Sequence, residues 1–350
     1  MKRTALVITG PTASGKSALA EALCEKFNAQ LINADAVQIY QGFDIGSAKP
    51  DAKTRERYKL LSVLSPDEQI SAGKFRELCL AELEATWQRK KLPIVVGGSG
   101  LYLRALLSPF FNEAEIGENQ LNTAEKTVLE IEERFAIDCP TRHEFSEKMH
   151  EFLAAKDPVR AASLDPHDLK RIRRSLILSF AAKTSFNEVA NTTNTKADLN
   201  ALVVALLPDR EALYQRIESR VDQMLESGLI NEVQGLIDRW GRKIKPLEAI
   251  GYKEVLQYLD EKISKDEMLE LIKKHSRNFA KRQLTWWRHQ PQTLGWEIVT
   301  ENLQLVNLNS KVDFEKFLLR ELEIISAADR RAGENILRYQ GVSAFGEELF

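Results

Sequence analysis

Cysteine and histidine are scarce in this sequence. The three cysteines, Cys24, Cys79 and Cys139, stand far apart and are odd in number, and the five histidines show no ligand spacing along the chain. A disulfide framework and a short-spaced metal site are therefore not predicted. The cysteines fit reduced thiols, so we expect a cytoplasmic protein.

Long apolar runs and a large net charge are also absent. No apolar stretch approaches the ~20 residues that a membrane-spanning helix needs. The N-terminal stretch MKRTALVITG lacks the cleavage site of a signal peptide, and we interpret it as a first strand. With a formal net charge of −2, the chain as a whole has no electrostatic preference for nucleic acid.

Positive charge is nevertheless concentrated in two places. The first basic segment, residues 170–174, contains Lys170, Arg171, Arg173 and Arg174, and the second basic segment, residues 273–288, contains lysines and arginines but no acid. A solvated helix face would explain either segment taken alone. Two such segments on a near-neutral chain indicate a local polyanionic partner.

The octapeptide GPTASGKS follows the first strand and opens a helix. It matches the pattern GxxxxGK[ST], in which glycines let successive backbone N–H groups point inward at phosphate oxygens. The lysine neutralises terminal phosphate oxygens, and the final hydroxyl can ligate Mg²⁺. The sequence therefore predicts a phosphate site with Mg²⁺ as cofactor, made of Gly10, Pro11, Thr12, Ala13, Ser14, Gly15, Lys16 and Ser17.

Strand and helix patterns alternate around this loop. ALVIT, AQLINAD and LPIVV read as buried strands separated by amphipathic helices, which predicts an α/β fold of P-loop type, a parallel sheet with helices on both faces. A charged helical stretch then interrupts the pattern, which NALVVALL restores. The predicted domains are the first part of the core (1–112), an all-helical insertion (113–198), the second part of the core with a basic helix (199–299) and a C-terminal extension of unknown role (300–350), helical around residues 314–325.

The loop alone does not distinguish a kinase from other phosphate-binding proteins. A nucleotide hydrolase usually has an acid at the end of an apolar strand, but LPIVV runs into two glycines and Ser99. The acid follows the second strand instead, as Asp35. Because parallel strands end at one edge of the sheet, we expect Asp35 to face the loop. A helix cap or an indirect magnesium contact is its structural alternative.

Seven motifs in family order give the chain a resemblance to the tRNA dimethylallyltransferases (tRNA isopentenyltransferases), which prenylate an adenosine beside the anticodon. The likeness covers most of residues 5–290. The motifs are GPTASGKS, DAVQIYQGFDIGSAKP (35–50), VGGSGLY (96–102), LDPHDLKRIRRSL (164–176), RIESRVDQML (216–225), EAIGYKEV (248–255) and FAKRQLTWWR (279–288).

The resemblance implies that the loop holds the diphosphate of dimethylallyl diphosphate, which leaves when N6 of the adenosine at tRNA position 37 attacks. It makes Lys16, Asp35 and Ser99 the catalytic residues, with Asp35 accepting the proton of the attacking amine. Ser99 would lie at the far side of the reaction channel. Arg216 or Arg220 would clamp the diphosphate, and we favour Arg220.

The resemblance also implies tRNA as the common partner of both basic segments, with no membrane partner and a monomeric enzyme. Trp286 and Trp287 could stack on a base, but adjacent helix positions cannot share one face, so at least one should be core. Gln38 would contact the target base. The implied tRNA-binding residues are Asp35, Ala36, Val37, Gln38, Lys170, Arg171, Arg173, Arg174, Gly251, Tyr252, Lys281, Arg282, Gln283 and Arg288.

The chain departs from the family pattern at a few positions. Ala36 and Val37 stand where the family usually has serine and methionine, Ser99 where it usually has threonine, and Gly100 where it has a bulkier residue. The residues of the catalytic chemistry are all present.

Three other functions remain open at this point. One is prenylation of free AMP, ADP or ATP, against which the helical insertion and FAKRQLTWWR argue, since a small acceptor needs neither. Another is a P-loop small-molecule kinase, which only the loop favours. A non-catalytic RNA-binding protein is the third, and the presence of Lys16, Ser17 and Asp35 counts against it.

Overall fold

The computed structural model divides the chain into two compact units. The first unit comprises Met1–Leu107 and Asp198–Phe350, and the second comprises Ser108–Ala197. The helix expected around residues 314–325 lies outside the described residues. The structure describes residues 3–108, 110–111, 116–185, 194–195, 199–293, 297–298 and 335–339.

A parallel sheet of seven described strands forms the centre of the first unit, in the order β3-β2-β4-β1-β7-β9-β8. β1 lies between β4 and β7, with Leu6 in register with Ile94 and Leu202. The predicted α/β fold is confirmed, although no pattern in the sequence indicated β9. The strands are β1 Thr4–Thr9, β2 Ala29–Asn33, β3 Tyr58–Lys59, β4 Leu92–Val96, β5 Phe110–Phe111, β6 Asn194–Thr195, β7 Asn200–Leu206, β8 Glu297–Ile298 and β9 Asn335–Tyr339.

Several of the described helices begin at side-chain caps. The side chain of Ser71 accepts the N–H of Lys74, and that of Asp209 accepts the N–H groups of Glu211 and Ala212, so donors at the first turn have partners. Among the described helices, none is both long enough and apolar enough to cross a membrane. The helices are α1 Lys16–Lys26, α2 Ala52–Arg55, α3 Ala72–Gln88, α4 Gly100–Leu107, α5 Glu118–Asp138, α6 Arg142–Lys156, α7 Pro158–Ala162, α8 Leu169–Ala182, α9 Arg210–Glu226, α10 Leu229–Trp240, α11 Tyr252–Leu259 and α12 Lys265–Thr293, with a 3₁₀ turn at Lys245–Glu248.

Two apolar clusters stabilise the first unit. One lies between the sheet and α1, where Leu6, Ile94 and Leu202 pack against Leu19 and Leu23. The other joins the segment after β2 to α9, α10, α11 and α12 and contains Ile39, Phe43, Val233, Tyr252 and Met268. This second cluster matters for the site because it fixes the segment that follows Asp35.

The second unit has its own core. α5, α6, α7 and α8 contribute apolar side chains such as Val128, Met149, Leu153, Ile172 and Leu176, all fully buried. β5 and β6 add a two-residue antiparallel ladder, and this strand pair is the non-helical regular structure among the residues of the unit that the structure describes. Strands of two residues leave no periodicity in a sequence, which is why the pattern there read as wholly helical.

Candidate active site

The phosphate loop connects β1 to α1 and depends on its glycines. Gly10 has φ +140°, and a Cβ there would stand 2.3 Å from the carbonyl oxygen of Leu206 in β7. Gly15 has φ +88° and, lacking a side chain, leaves the first N–H groups of α1 uncovered. Ala13 also has a positive φ of 58°, a conformation that is strained for alanine. The loop is therefore shaped to present backbone N–H groups to an anion.

Two cations meet at this loop. The ammonium group of Lys16 donates to the carbonyl oxygen of Pro11 at 2.6 Å. Arg220, from α9, donates to the hydroxyl oxygen of Thr12 at 3.1 Å and to the carbonyl oxygen of Ser47 at 3.3 Å. Arg216 donates to the carbonyl oxygen of Ala212 in its own helix. Arg220 thus reaches the loop through Thr12.

The electrostatics of this pair favour a bound anion. Lys16 keeps some accessible surface because it lines a cavity, but its ammonium group is surrounded by protein. Burial first, and then the neighbouring Arg220, lower the pKa of Lys16 to about 7, while Asp35 acts in the opposite direction. Burial also lowers the pKa of Arg220. Among the described residues, the hydroxyl of Ser14 and the Nε of Arg220 are buried without a hydrogen-bond partner.

Asp35 lies just beyond the end of β2, in the wall of the same cavity. Its Oδ1 accepts the N–H groups of Val37 at 2.8 Å and Gln38 at 3.2 Å. One carboxylate oxygen of Asp35 therefore closes a turn and does not cap a helix, and Asp35 lines the same cavity as Lys16. Asn33 supports it from the strand end: its side chain accepts the N–H of Asp35 at 3.3 Å and donates to the carbonyl oxygen of Leu60 at 2.9 Å.

Ser99 and Gln38 are both engaged within the chain. The hydroxyl of Ser99 accepts the N–H of Ala36 at 3.2 Å, which ties the start of α4 to the segment after β2. The amide nitrogen of Gln38 donates to the carbonyl oxygens of Ser47 at 2.9 Å and Ala48 at 3.2 Å. The amide oxygen of Gln38 is then the atom left to meet a base, and that contact stays a prediction.

Glu232 in α10 is a positioning residue that the sequence did not indicate. Its carboxylate accepts the N–H groups of Asp44 at 3.1 Å, Ile45 at 2.6 Å and Gly46 at 3.2 Å, and the hydroxyl of Tyr252 at 2.8 Å. This carboxylate fixes the loop whose next residues bind Arg220 and Gln38. No local pattern could reveal a contact between positions 188 residues apart.

Gln283 in α12 joins two parts of the core. Its amide oxygen accepts the N–H of Thr12 at 2.9 Å, and its amide nitrogen donates to the carbonyl oxygen of Gly98 at 2.9 Å. The side chain is buried, with both ends bonded to backbone. The resemblance placed Gln283 among the tRNA-binding residues, and that contact stays a prediction. In this structure the Gln283 amide joins the phosphate loop to the residue pair that follows β4.

A cavity of about 550 Å³ brings Lys16, Asp35 and Arg220 together, whereas Ser99 is not among the residues that line it. Its polar lining includes Lys16, Ser17, Asp35 and Arg220. Its wall also carries a group of apolar side chains, which suits a ligand that joins a charged group to a hydrocarbon. The apolar lining residues include Val37, Ile217, Val221, Met224, Ile272 and Phe279.

The tryptophan pair divides as expected. Trp287 is 1% exposed and belongs to the core, which confirms the prediction for one of the two. Trp286 is half-buried, and a Cβ on Gly100 would stand 2.8 Å from its ring. The glycine at position 100 therefore has a physical reason: it makes room for the Trp286 indole.

The exposed side of α12 carries positive charge. Lys281, Arg282 and Arg288 are exposed, and Lys281 and Arg282 line a shallow cavity beside Trp286. Arg282 also lines the main cavity, so the second basic segment reaches the candidate active site.

Tyr252 and Gly251 are less accessible than their predicted RNA contact requires. The Tyr252 ring is fully buried, with its centroid 4.7 Å from that of Phe43, and its hydroxyl bonds to Glu232. The N–H of Gly251 donates to the carboxylate of Glu254 at 2.7 Å. The Tyr252 side chain serves the core, and a contact of either residue with RNA stays a prediction.

The first basic segment begins α8 in the second unit, and its members differ. Lys170 and Arg171 are exposed, and Arg171 pairs with Asp168 at 3.3 Å on the same helix turn. Arg173 pairs with the carboxylate of Glu132 at 3.0 Å. Arg174 is half-buried, and burial lowers its pKa. Lys170 and Arg171 are therefore the side chains most open to a polyanion.

Comparison with known proteins gives a family match over most of the chain. The sequence model of the IPP transferase family matches residues 38–290. A tRNA dimethylallyltransferase of Exiguobacterium sp. is 37% identical over 321 residues, which cover 91% of this chain and 98% of that protein.

Solved structures of tRNA isopentenyltransferases and dimethylallyltransferases are also similar to this chain. A tRNA isopentenylpyrophosphate transferase of Bacillus halodurans is similar with a TM-score of 0.60 and 29% identity, covering 93% of this chain and 99% of that one. A eukaryotic dimethylallyltransferase acting on tRNA is similar with a TM-score of 0.72 and 25% identity, covering 96% of this chain and 82% of that one.

Proposed function

The chain belongs to the IPP transferase family, and we propose that it transfers a dimethylallyl group from dimethylallyl diphosphate to a tRNA adenosine. The acceptor is the exocyclic N6 of the adenosine next to the anticodon, at position 37, and diphosphate is released. The observation that carries this proposal is the single cavity in which Lys16 and Arg220 lie with Asp35 and an apolar wall.

The cationic lining suits the diphosphate of the donor. Burial, and after it the neighbouring Arg220, lower the pKa of Lys16, and a bound group with two or three negative charges would favour the charged forms of both side chains. The N–H groups of the loop and of the first turn of α1 add fixed dipoles. The apolar wall then receives the dimethylallyl group.

The reaction breaks the C–O bond to diphosphate and forms a C–N bond to adenine. The electron pair of the broken bond leaves with the diphosphate, so negative charge grows there in the transition state. Lys16, Arg220 and the loop N–H groups are fixed in place before the reaction and stabilise this growing charge. Asp35 accepts the proton that the attacking amine loses, through the carboxylate oxygen that does not cap the turn.

Magnesium is the cofactor that we assign to this site. Hard oxygen ligands suit Mg²⁺, and the Ser17 hydroxyl and the Asp35 carboxylate both line the cavity beside Lys16. Ser17 would ligate the ion directly. Bound there, Mg²⁺ would offset charge on the diphosphate.

Transfer RNA is the acceptor because a small nucleotide would not need the exposed cations of α12. Arg282 lines the main cavity, Lys281 lines the shallow cavity beside Trp286 together with Arg282, and Arg288 is exposed further along α12. In this role they would contact phosphates and position the anticodon loop over the cavity. We further infer a monomeric cytoplasmic enzyme.

The test is to incubate the full chain with dimethylallyl diphosphate, Mg²⁺ and an unmodified tRNA transcript, and to digest the RNA for mass analysis. Parallel reactions contain AMP, ADP or ATP as acceptor, and one contains ATP as donor. We expect a dimethylallyl mass increase on one adenosine of the tRNA and stoichiometric diphosphate. Prenylated free nucleotide in place of modified tRNA would contradict the acceptor, and ADP release with an unmodified tRNA would contradict the reaction.

A further inference from the structure

Two histidines and a glutamate meet on the surface of the second unit. His143 and Glu147 stand one turn apart on α6, and the Nδ1 of His143 lies 3.4 Å from a carboxylate oxygen of Glu147. His167 comes from the connection between α7 and α8, and its ring centroid is 4.0 Å from that of His143. One ligand atom from each of the three lies within 4.8 Å of the others. The spacing of the histidines along the chain did not indicate this cluster, because the fold brings together positions that are distant in sequence.

The backbone that carries these side chains is fixed by the chain itself. The buried hydroxyl of Ser146 donates to the carbonyl oxygen of Pro166 at 2.7 Å, which ties the connection onto α6 between His143 and Glu147. The carboxylate of Asp165 accepts the N–H of His167 at 2.8 Å. Thr141 and Glu144 close a capping box at the start of α6. The positions of the three Cα atoms are thus set without any ligand.

We propose that His143, Glu147 and His167 bind a divalent transition-metal ion of the Zn²⁺ class. Two imidazoles and one carboxylate form a ligand set that Zn²⁺ accepts, with bonds of about 2.0–2.2 Å and a fourth position for water. Ligand atoms in such a site stand roughly 3.3 Å apart, as tetrahedral bonds of that length require. The three side chains are exposed, so small rotations about their side-chain bonds bring the atoms from within 4.8 Å to that spacing.

The chemistry of the ligands argues against the hard ions of the candidate active site. Imidazole nitrogen is a borderline ligand that favours Zn²⁺, Ni²⁺ or Cu²⁺ over Mg²⁺ and Ca²⁺, which prefer oxygen. The site lies wholly within the second unit and uses none of the residues assigned to prenyl transfer. Bound metal would clamp the connection before α8 to α6. Because α8 opens with the first basic segment, the clamp would hold the start of that segment in place.

Isothermal titration of the tag-free full chain with Zn²⁺, in the presence of excess Mg²⁺, tests the proposal. We expect one saturable site per chain, and Co²⁺ should give the visible absorption of a low-coordinate nitrogen and oxygen site. His143→Ala, Glu147→Gln and His167→Ala should each weaken Zn²⁺ binding at least ~10-fold, since even residues behind metal ligands have effects of that size.

Matched controls separate this site from general surface binding. Glu151→Gln removes the same charge one turn further along α6, and His289→Ala removes an exposed histidine of the first unit. Both controls should bind Zn²⁺ as the parent chain does. Three results would each overturn the proposal: no saturable Zn²⁺ binding by the parent chain, equal losses in the controls, or full binding retained by all three ligand variants. Circular dichroism of each variant shows that a loss is not unfolding, and the Co²⁺ spectrum of the parent chain gives a result that needs no variant.

Discussion

The phosphate loop and the two basic segments carry charge of the same sign but hold it in different ways. Lys16 and Arg220 are surrounded by protein, bonded to the loop, and have lowered pKa values. The basic segments show the contrast, because Lys170 and Arg171 extend from α8 into solvent. The exposed cations of α12 do the same in the second basic segment.

This difference separates two kinds of electrostatic interaction. A desolvated cation interacts strongly with one ligand in one geometry, so its loss should change donor binding or rate by orders of magnitude. An exposed cation interacts through water and salt, so its loss should change RNA affinity by small steps that depend on ionic strength. The predictions below test this division, from the largest effect to the smallest.

Asp35→Asn should lower the rate of transfer by ~10²–10⁴, the usual effect of losing a general base. Asparagine keeps an oxygen that can accept the N–H groups of Val37 and Gln38, so the turn after β2 should persist. Single-turnover assays with saturating tRNA measure the effect, and tRNA affinity should stay within a few-fold. If the variant retained most of its activity, capping the turn would be the only role left for Asp35.

Lys16→Met should weaken binding of dimethylallyl diphosphate by ~10–100-fold, as expected for a lost hydrogen bond to a charged group. Methionine has a similar length and no charge, so its side chain should occupy the volume that the lysine side chain leaves and the loop should keep its conformation. Titration calorimetry with the donor and, separately, with tRNA measures both affinities, and the tRNA affinity should not change. An equal loss of donor affinity and tRNA affinity would contradict the assignment of donor binding to the loop and of tRNA binding to the basic segments.

Donor binding should also take up a proton at pH 8. The pKa of Lys16 is about 7 in the free protein, so at pH 8 most molecules carry a neutral amine there. A bound diphosphate favours the ammonium form, so affinity should fall as pH rises above 7, by up to ~tenfold per unit. Calorimetry at pH 8 in buffers of different ionisation heat measures the number of protons taken up for each donor molecule bound. We expect roughly one proton for the parent chain and none for Lys16→Met. Equal uptake by both would assign the proton to another group.

Gln283→Ala should weaken donor binding about tenfold while leaving tRNA affinity nearly unchanged. The substitution removes two hydrogen bonds and leaves the part-buried N–H of Thr12 and the buried carbonyl oxygen of Gly98 without this partner, and an unpaired buried polar group typically costs ~1–3 kcal/mol. Gln257→Ala, on the exposed face of α11, is the matched control. If tRNA binding were weakened and donor binding stayed normal, Gln283 would contact tRNA, as the family resemblance implies.

The parts of the site that the sequence predicts are those whose residues lie close together along the chain or at the common edge of the sheet. The phosphate loop is contiguous and its geometry depends on its own glycines, so the octapeptide predicts it. Asp35 was predictable because strand ends share an edge in a parallel sheet. Gln283 and Glu232 were not, because their hydrogen bonds join positions 271 and 188 residues apart and a single sequence carries no record of such pairs.

The same limit applies to the second unit. Periodicity located its helices, but the ligand cluster of His143, Glu147 and His167 depends on how the connection after α7 folds back onto α6. Charge counting also overstated the first basic segment, because ion pairing of Arg173 and burial of Arg174 depend on tertiary packing that composition does not contain.

The smallest expected effect is that of removing exposed cations, and its measurement tests whether both basic segments bind the same tRNA. Lys170→Ala with Arg171→Ala, and separately Lys281→Ala with Arg282→Ala, should each weaken tRNA binding several-fold at low salt. Each lost phosphate contact should make the slope of log affinity against log salt shallower by about 0.7–0.9.

Lys126→Ala with Arg134→Ala removes the same charge from exposed positions of α5 and should leave both affinity and slope unchanged. Donor affinity measured on the same samples serves as the folding check for α12, since Gln283 lies beside the substituted residues. If the α5 control lost as much affinity as the other pairs, net charge and not the two segments would attract the RNA. If only the α12 pair responded, the first basic segment would be a solvated helix face, and the tRNA would be held by the first unit alone.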